Sequence, residues 1–478
     1  EKVGRDWSLD AKIPTNRISD AGNHMGLAKE IAAITGKESR VKSQESRPKI
    51  YGRATVRIKI PQSELCPRYT AQILEIKKLG ASPKWMQERL ATCGLRPIDA
   101  VVDITNYVML ETGQPLHAFD LEKIQGGELT IRESKKGEEL TTLDGTKHAL
   151  PPGSIIITDA KRAIDLAGIM GGENSSVGTA TRRILLQAAV FDPVRIYKTS
   201  RALNFFSAAS RLYAAGLDPN RAIIGLNRAA ELLEKICGAK RTGPPIDIYH
   251  KHIPSVRILF RPKHANSTIG QELAAIFYKT TFERLGLGVE KHGENLIIEA
   301  PTVRRDLQIE EDLIEEAARV FGYEKIPSHL PEVALQTAYR NDEVWWEERA
   351  RDFLAGAGFI ESLLYEFTGD EELEKFGVSA TGVIPLENPM NPETKHLVPR
   401  AMIKYVASTA SNLRNFNSIK LFGIGKSFGE KGGRVDEHKD LVLTFAQKNT
   451  AGDEEFYQLK GAVDELLEKM GIADHWYD

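Results

Sequence analysis

Six carboxylates fall in the run from Arg304 to Glu316 (RRDLQIEEDLIEE), and four of them, Asp306, Asp312, Glu315 and Glu316, are spaced to share a site. Asp312 and Glu316 are four residues apart, and Asp312 and Glu315 three, so on a helix they share one side, with Asp306 just before it. An oxygen cluster of this kind suits a hard cation, Mg²⁺ above all, which binds through one or two carboxylates and keeps waters. The same acids also suit the first turns of a helix, where they oppose its dipole, or a solvated face. Spacing alone leaves these readings open.

Three further sets could carry chemistry. In Gly113–Asp120 (GQPLHAFD), His117 follows a Gly/Pro turn and stands beside an aromatic residue, where it could act as acid, base or donor, or serve as a satisfied structural histidine. Ala167–Gly172 (AGIMGG) could bring backbone N–H groups close to a ligand, although it is not GxGxxG, lacks a P-loop lysine and reads locally as a turn. Ser207-Ala208-Ala209-Ser210 offers two hydroxyls and two small residues, either a snug pocket wall or a helix start capped by serine. No Ser-His-Asp order or nucleophile elbow accompanies it.

These residues need elements to hold them. Helical spacing predicts a helix from about Asp20 to Gly36, an amphipathic one over Trp85–Cys93, a buried one over 97–110, one beginning at Asp192-Pro193 and a long one over 219–236. Residues 1–8, 51–60, 70–77 and 183–191 read as extended, 128–165 as strands and turns, and 37–50 as a polar linker. Gly243-Pro244-Pro245 reads as a boundary. A compact unit then follows over 255–326: a strand, a helix at 271–285, a Gly-rich turn, a strand at 295–299 and a helix at about 308–321. Ile326–Pro331 is a second linker. The remainder has helices at 344–357, 400–414 and 458–470 and strands at 361–367 and 419–424. Alternation without a regular βαβ beat predicts a multidomain α+β chain.

Composition bounds the function. The chain has 478 residues, 41% hydrophobic and 27% charged, with a formal net charge of −2. That length suggests about three domains, and the balance rules out disorder for most of it. No apolar run is long enough for a membrane span. Cys66, Cys93 and Cys237 show no CxxC spacing, which argues against a disulfide framework or structural zinc and fits a cytoplasmic setting. Near-neutral charge neither advertises nor excludes nucleic-acid binding.

The order of the motifs is more specific than any one of them. RPIDAVVDITNYVMLETGQPLHAFD (Arg96–Asp120), AGIMGGENS, ILLQAAVFDP, RRDLQIEEDLIEEAARVFGYEKIPSHLP (Arg304–Pro331), LENPMNPET and LFGIGKSF resemble the β subunit of bacterial-type phenylalanyl-tRNA synthetase over nearly the whole chain. The resemblance implies that 1–40 end an N-terminal (B1-like) domain, 45–245 form a B3/B4 editing domain, 255–327 a small winged-helix-like B5 domain, and 335–478 part of an inert class II synthetase-like antiparallel module. It implies a catalytic α subunit as partner in an α2β2 heterotetramer, with tRNA(Phe) and ATP as substrates of the complex, and hydrolysis of mischarged Tyr-tRNA here. Aminoacylation is not expected in this chain. The family's Mg²⁺ pattern matches Asp306, Asp312, Glu315 and Glu316. Its editing pocket matches Arg96, His117, Gly168 and Ala209, with Ser207 where the family has Thr and Gln187 where it has the Glu that recognises the tyrosine hydroxyl. Exchanging that charged acceptor for a neutral amide would cost about 1–2 kcal/mol of discrimination.

Other departures fall at charged family positions: Ala214-Ala215 for Glu-Arg, Val398 for Arg and Gly423 for Glu, each removing an expected ion pair or subunit contact. Two alternatives therefore stand beside the editing subunit: a catalytically silent scaffold and tRNA-binding relative with an eroded pocket, and a free-standing trans-editing hydrolase. The B5-like and synthetase-like segments argue against the latter. Glu1 in place of Met, and an ending amid a half-finished module, read as truncation of a longer family chain.

Overall fold

The computed structural model describes residues 2–3, 6–37, 56–77, 79–250, 252–334, 336–449, 453–472 and 474. The expected linker at 37–50 and the first half of the strand at 51–60 therefore lie almost wholly outside the described residues. The chain divides into two units, Glu1–His329 and Leu330–Asp478.

In the first unit, α1 (His24–Thr35) starts on the Asn23 side chain, which accepts from the Gly26 N–H, and ends on Gly36 at φ +67°. Two sheets follow. One has five strands in the order β7 (Met170–Gly171), β6 (Ala163–Leu166), β5 (Ile155–Thr158), β4 (Glu128–Glu133) and β1 (Arg57–Lys59). The other has four, in the order β9 (Lys240–Tyr249), β2 (Arg68–Glu75), β8 (Arg183–Val190) and β3 (Leu116–Asp120). All pairs are antiparallel except β1 with β4.

Every residue of β8 after Arg183 is buried, as the apolar run Ile184–Val190 requires of a central strand covered on both faces. Helices α2 (Lys84–Thr92), α3 (Ala100–Thr112), α4 (Pro193–Ala202), α5 (Ala208–Ala215) and α6 (Pro219–Cys237) complete this region, with α6 packed on α3, β2 and β8. Their starts follow from sequence: Asp99, Asp192, Ser207 and Asp218 each accept from a backbone N–H of the first turn, and proline opens α4 and α6. Both sheets share one apolar core.

Gly243-Pro244-Pro245, read as a boundary, lies inside β9. There the pairing with β2 slips between Thr242 and Ile246. β9 is an edge strand, where a proline lacking its N–H is tolerated. The smaller remaining body has a sheet ordered β10 (Val256–Phe260), β12 (Asn295–Ala300), β11 (Gly288–His292), with helices α7 (Pro262–Ile269), α8 (Ala275–Arg284) and α9 (Glu310–Phe321) around Phe260, Tyr278, Phe282, Ile298 and Leu313. The sequence reading missed α7 and β11: α7 is a short helix introduced by Pro262, and β11 is a largely exposed strand with little apolar alternation.

In the second unit, α10 (Asp342–Gly356) precedes a sheet ordered β13 (Ile360–Glu361), β14 (Ser418–Lys431), β15 (Arg434–Gln447), flanked by α11 (Met402–Asn412) and α12 (Glu454–Lys469). β14 and β15 form a long hairpin turning on Gly432-Gly433, both at positive φ. Of this hairpin, only residues 419–424 were legible as a strand in the sequence.

Candidate functional site

The pocket residues come from β3, β8, the β6–β7 hairpin and the start of α5. His117 on β3 and Gln187 on β8 are direct cross-strand partners, so their side chains leave the same face of the four-stranded sheet. The His117 ring packs edge-on to Phe119, with centroids 4.6 Å apart. On its other side it lies against Gly171, where an added Cβ would come within 2.4 Å of Cε1 and 2.7 Å of Nε2. Burial lowers the His117 pKa to about 4, so the imidazole is neutral at pH 7. Its Nε2 and the Oε1 of Gln187 are buried without a protein partner.

The Ala167–Gly172 segment is the turn of the β6–β7 hairpin and not a phosphate cradle. Gly168 sits at its tip with φ +72°, and a Cβ there would press on Ile196, Tyr213 and Phe191 at 3.0–3.2 Å. Ser207 Oγ donates to the Ile169 carbonyl at 2.8 Å, which ties the start of α5 to this turn. The same oxygen accepts from the Ser210 N–H in a capping box, so one hydroxyl both caps α5 and ties it to the hairpin turn. Ala209, two residues on, packs against the main core. Thus His117, Gly168, Gln187 and Ser207 belong to one neighbourhood. Arg96 does not join them: it is exposed in the loop before α3, with no hydrogen bond or ion pair among the described residues.

Sequence reasoning missed two members. Asp165 on β6, 3% exposed, lies beside Gln187. Tyr69 on β2 is fully buried with its hydroxyl unpartnered. The available signal was a lone acid between Ile164 and Leu166 in an otherwise apolar strand.

Of the four carboxylates read as Mg²⁺ ligands, Asp306 and Glu316 meet arginines. Asp306 accepts from Arg304 at 2.7 and 3.1 Å. Glu316 is bridged to Arg304 and Arg319, each at 2.9 Å, and to Arg17 at 3.2 Å. Asp312 caps the helix, accepting from the Gln308 and Ile309 N–H groups at 2.7 and 2.9 Å, and Glu315 is exposed. Asp20 and Glu30 complete the network: Arg17 binds both, and Arg319 reaches Glu30 at 2.9 Å. Three guanidinium groups therefore stand among the oxygens a metal would take, and among the described residues no group of three potential ligands converges to hold one. The residues present do not fit Mg²⁺. Burial pushes the Glu316 carboxyl up, but Arg319, Arg304 and Arg17 outweigh it and hold it below the ordinary value. The network borders a cleft of about 330 Å³ between α1 and α9.

Comparison with known proteins finds three family matches along the chain. Residues 65–238 match the B3/4 domain, 258–323 the tRNA synthetase B5 domain, and 326–478 the phenylalanyl tRNA synthetase beta chain CLM domain. The phenylalanine–tRNA ligase beta subunit of Moorella thermoacetica is 34% identical over 98% of this chain and 60% of its own length. That of Syntrophus aciditrophicus is 35% identical over 98% of this chain and 61% of its own, and that of Thermotoga maritima 31% over 97% and 59%. The chain belongs to the bacterial-type phenylalanyl-tRNA synthetase β-chain family. It spans about 60% of the length of these relatives.

Within this β-chain family frame the departures acquire local reasons. Val398 is 1% exposed and packs with Leu373, Ile403 and Phe428, where an arginine would be buried. At Gly423 a Cβ would lie 2.0 Å from Tyr405 Oη and 2.6 Å from the Ser362 carbonyl, which that hydroxyl donates to at 2.9 Å. A glutamate cannot stand there while Tyr405 makes this bond. Ala214 and Ala215 are half-buried at the end of α5, and nothing in the structure explains them further. Among the described residues no helix is long and apolar enough to cross a membrane.

Proposed function

We propose that this chain is the editing and scaffold portion of a phenylalanine–tRNA ligase β subunit. In this reading it pairs with a catalytic α subunit in an α2β2 assembly, supports the ATP-dependent attachment of phenylalanine to tRNA(Phe) at a site in α, and hydrolyses mischarged Tyr-tRNA(Phe) in the pocket around His117 and Gln187. Mg²⁺ and ATP are used by the complex, outside the described residues of this chain. The observation that carries the editing reading is the register pairing of His117 with Gln187, closed over by the hairpin bearing Gly168 and tied to Ser207.

The pocket residues contain no activated nucleophile, so water adds to the aminoacyl ester carbonyl and the ester C–O bond breaks, releasing tyrosine and tRNA. His117, neutral at pH 7, can hydrogen-bond that water without first losing a proton. A site that hydrogen-bonds a ring hydroxyl rejects the analogue lacking it, which spares Phe-tRNA.

Deacylation of Tyr-tRNA(Phe) against Phe-tRNA(Phe) tests the proposal, together with co-purification with an α subunit. Tyrosyl hydrolysis by a chain that also captures α supports it. Capture of α without hydrolysis selects the silent-scaffold alternative, which the exposed, unengaged Arg96 and the neutral Gln187 favour. Hydrolysis without capture selects the free-standing hydrolase.

A further inference from the structure

The residues assigned above leave one buried acid without a task. Asp165 has no ion-pair partner among the described residues. Around it, Tyr69 Oη, Gln187 Oε1 and His117 Nε2 are all buried and unpartnered. Their side chains share one sheet face: Gln187 pairs with His117 on β3 and with Ala71 on β2, and Tyr69 stands two residues before Ala71. The β6–β7 hairpin meets this face, because Asp165 pairs with Gly171 and Gly171 touches the His117 ring. Buried polar atoms are seldom left without a partner. Three of them beside a buried carboxyl mark a place shaped for a polar group from outside the chain.

We propose that Asp165, acting with Gln187, is the specificity-determining residue of this pocket and receives the ring hydroxyl of a tyrosyl group. The proposal rests on the editing reading and names the atoms that would discriminate. Burial pushes the Asp165 carboxyl up to about 8, and the neighbouring Gln187 amide pulls it back only in part, so at pH 7 the group is mostly the neutral acid. A neutral acid has one O–H donor and a carbonyl acceptor. The O–H satisfies Gln187 Oε1, and the carbonyl accepts the phenolic O–H. A phenylalanyl group would leave that carbonyl unpaired in a dry site. The carboxyl that the family resemblance expects at position 187 is thus supplied from position 165. The titratable neighbours do not compete: burial raises the Tyr69 and Tyr213 phenols and the Cys66 thiol, Asp165 adds to the rise of both tyrosines, and His117 is neutral.

The test compares the full chain with its Asp165→Asn, Asp165→Ala and Gln187→Ala variants. It measures deacylation of Tyr-tRNA(Phe) and Phe-tRNA(Phe) from pH 6 to 9, binding of free L-tyrosine and L-phenylalanine by calorimetry, and folding by circular dichroism. Asp165→Ala should lose about tenfold in tyrosyl kcat/KM, the worth of one lost hydrogen bond, with the phenylalanyl rate unchanged, whereas Asp165→Asn, whose amide keeps a donor and a carbonyl acceptor, should retain the tyrosine preference at pH 7. The wild-type tyrosine preference should inflect near pH 8, and the inflection should vanish in Asp165→Asn. A folded Asp165→Ala variant that keeps the wild-type preference overturns this proposal and leaves the editing reading standing. Wild type that neither hydrolyses nor binds the tyrosyl group overturns both. Wild type that binds tyrosine through Asp165 without hydrolysis overturns the hydrolase reading alone. Should Asp165→Ala fail to fold, Gln187→Ala decides: lost preference supports the pair, and retained preference refutes it.

Discussion

At the scale of single residues, the pocket holds two titratable groups that burial pushes in opposite senses, and their effects on stability differ by pH window. Asp165 ionises near pH 3.8 when unfolded and near 8 when folded, so its burial costs stability as pH rises between those values and no further above them. His117 has its pKa lowered from 6.5 to about 4, so its contribution is present above 6.5 and lost as pH falls toward 4. For these two groups the slopes, each about 1.4 kcal/mol per pH unit, offset one another between 4 and 6.5, and the Asp165 slope stands alone from there to 8. Asp165→Asn should therefore gain stability over wild type, with a margin that widens with pH up to about 8 and then levels off. Urea denaturation across this range measures it, and a pH-independent margin would remove the buried acid from the account. His117 was visible in the sequence because a Gly/Pro turn and an aromatic neighbour frame it. Asp165 was not, because its depth depends on β6 being covered on both faces, and the order of strands in a sheet is not a local property of the chain.

At the scale of elements, the arginine network joins α1 to α9 by charge instead of by metal. Arg17 is held by Asp20, Glu30 and Glu316. Arg17→Ala would leave the Glu316 carboxylate, with a side chain only 5% exposed, short of one of its three cations, at a cost of about 3–5 kcal/mol in thermal or denaturant unfolding. That cost should shrink as pH falls below the usual glutamate range, because the network favours the ionised Glu316 and protonation removes the difference. Chelator or added Mg²⁺ should leave the Tm of the chain unchanged; a rise with Mg²⁺ would restore the metal reading. The spacing of Asp312, Glu315 and Glu316 predicted their helix correctly and could not reveal Arg17, which is 299 residues distant from Glu316 in sequence. In the second unit, Gly423→Ala should destabilise by about 1–3 kcal/mol, since its Cβ must displace either Tyr405 Oη or the Ser362 carbonyl. Tyr405→Phe in the same background should relieve part of that loss, and a fully additive double variant would show the contact to be unimportant.

At the scale of the whole molecule, the two units meet in sequence through a stretch from Pro327 to Arg340 whose described residues are exposed and carry no helix or strand. Limited trypsin digestion should cut first near Lys325 or Arg340 and release two resistant fragments; early cuts within α6 or β8 would contradict this division. The sequence by itself determined the class of fold, the helix starts at Asp192 and Ser207, the buried run of β8 and, through the order of its motifs, the family. Each of these rests on local backbone preference or on a pattern read along the chain. Tertiary structure alone decided that Pro244 and Pro245 sit in an edge strand, that Asp306 and Glu316, two of the expected metal ligands, are paired with Arg17, Arg304 and Arg319, and that a carboxyl stands beside Gln187. Those outcomes depend on which distant groups burial brings within a hydrogen bond of one another. In a dry interior the nearest partner sets the charge of an acid, and sequence spacing does not name that partner.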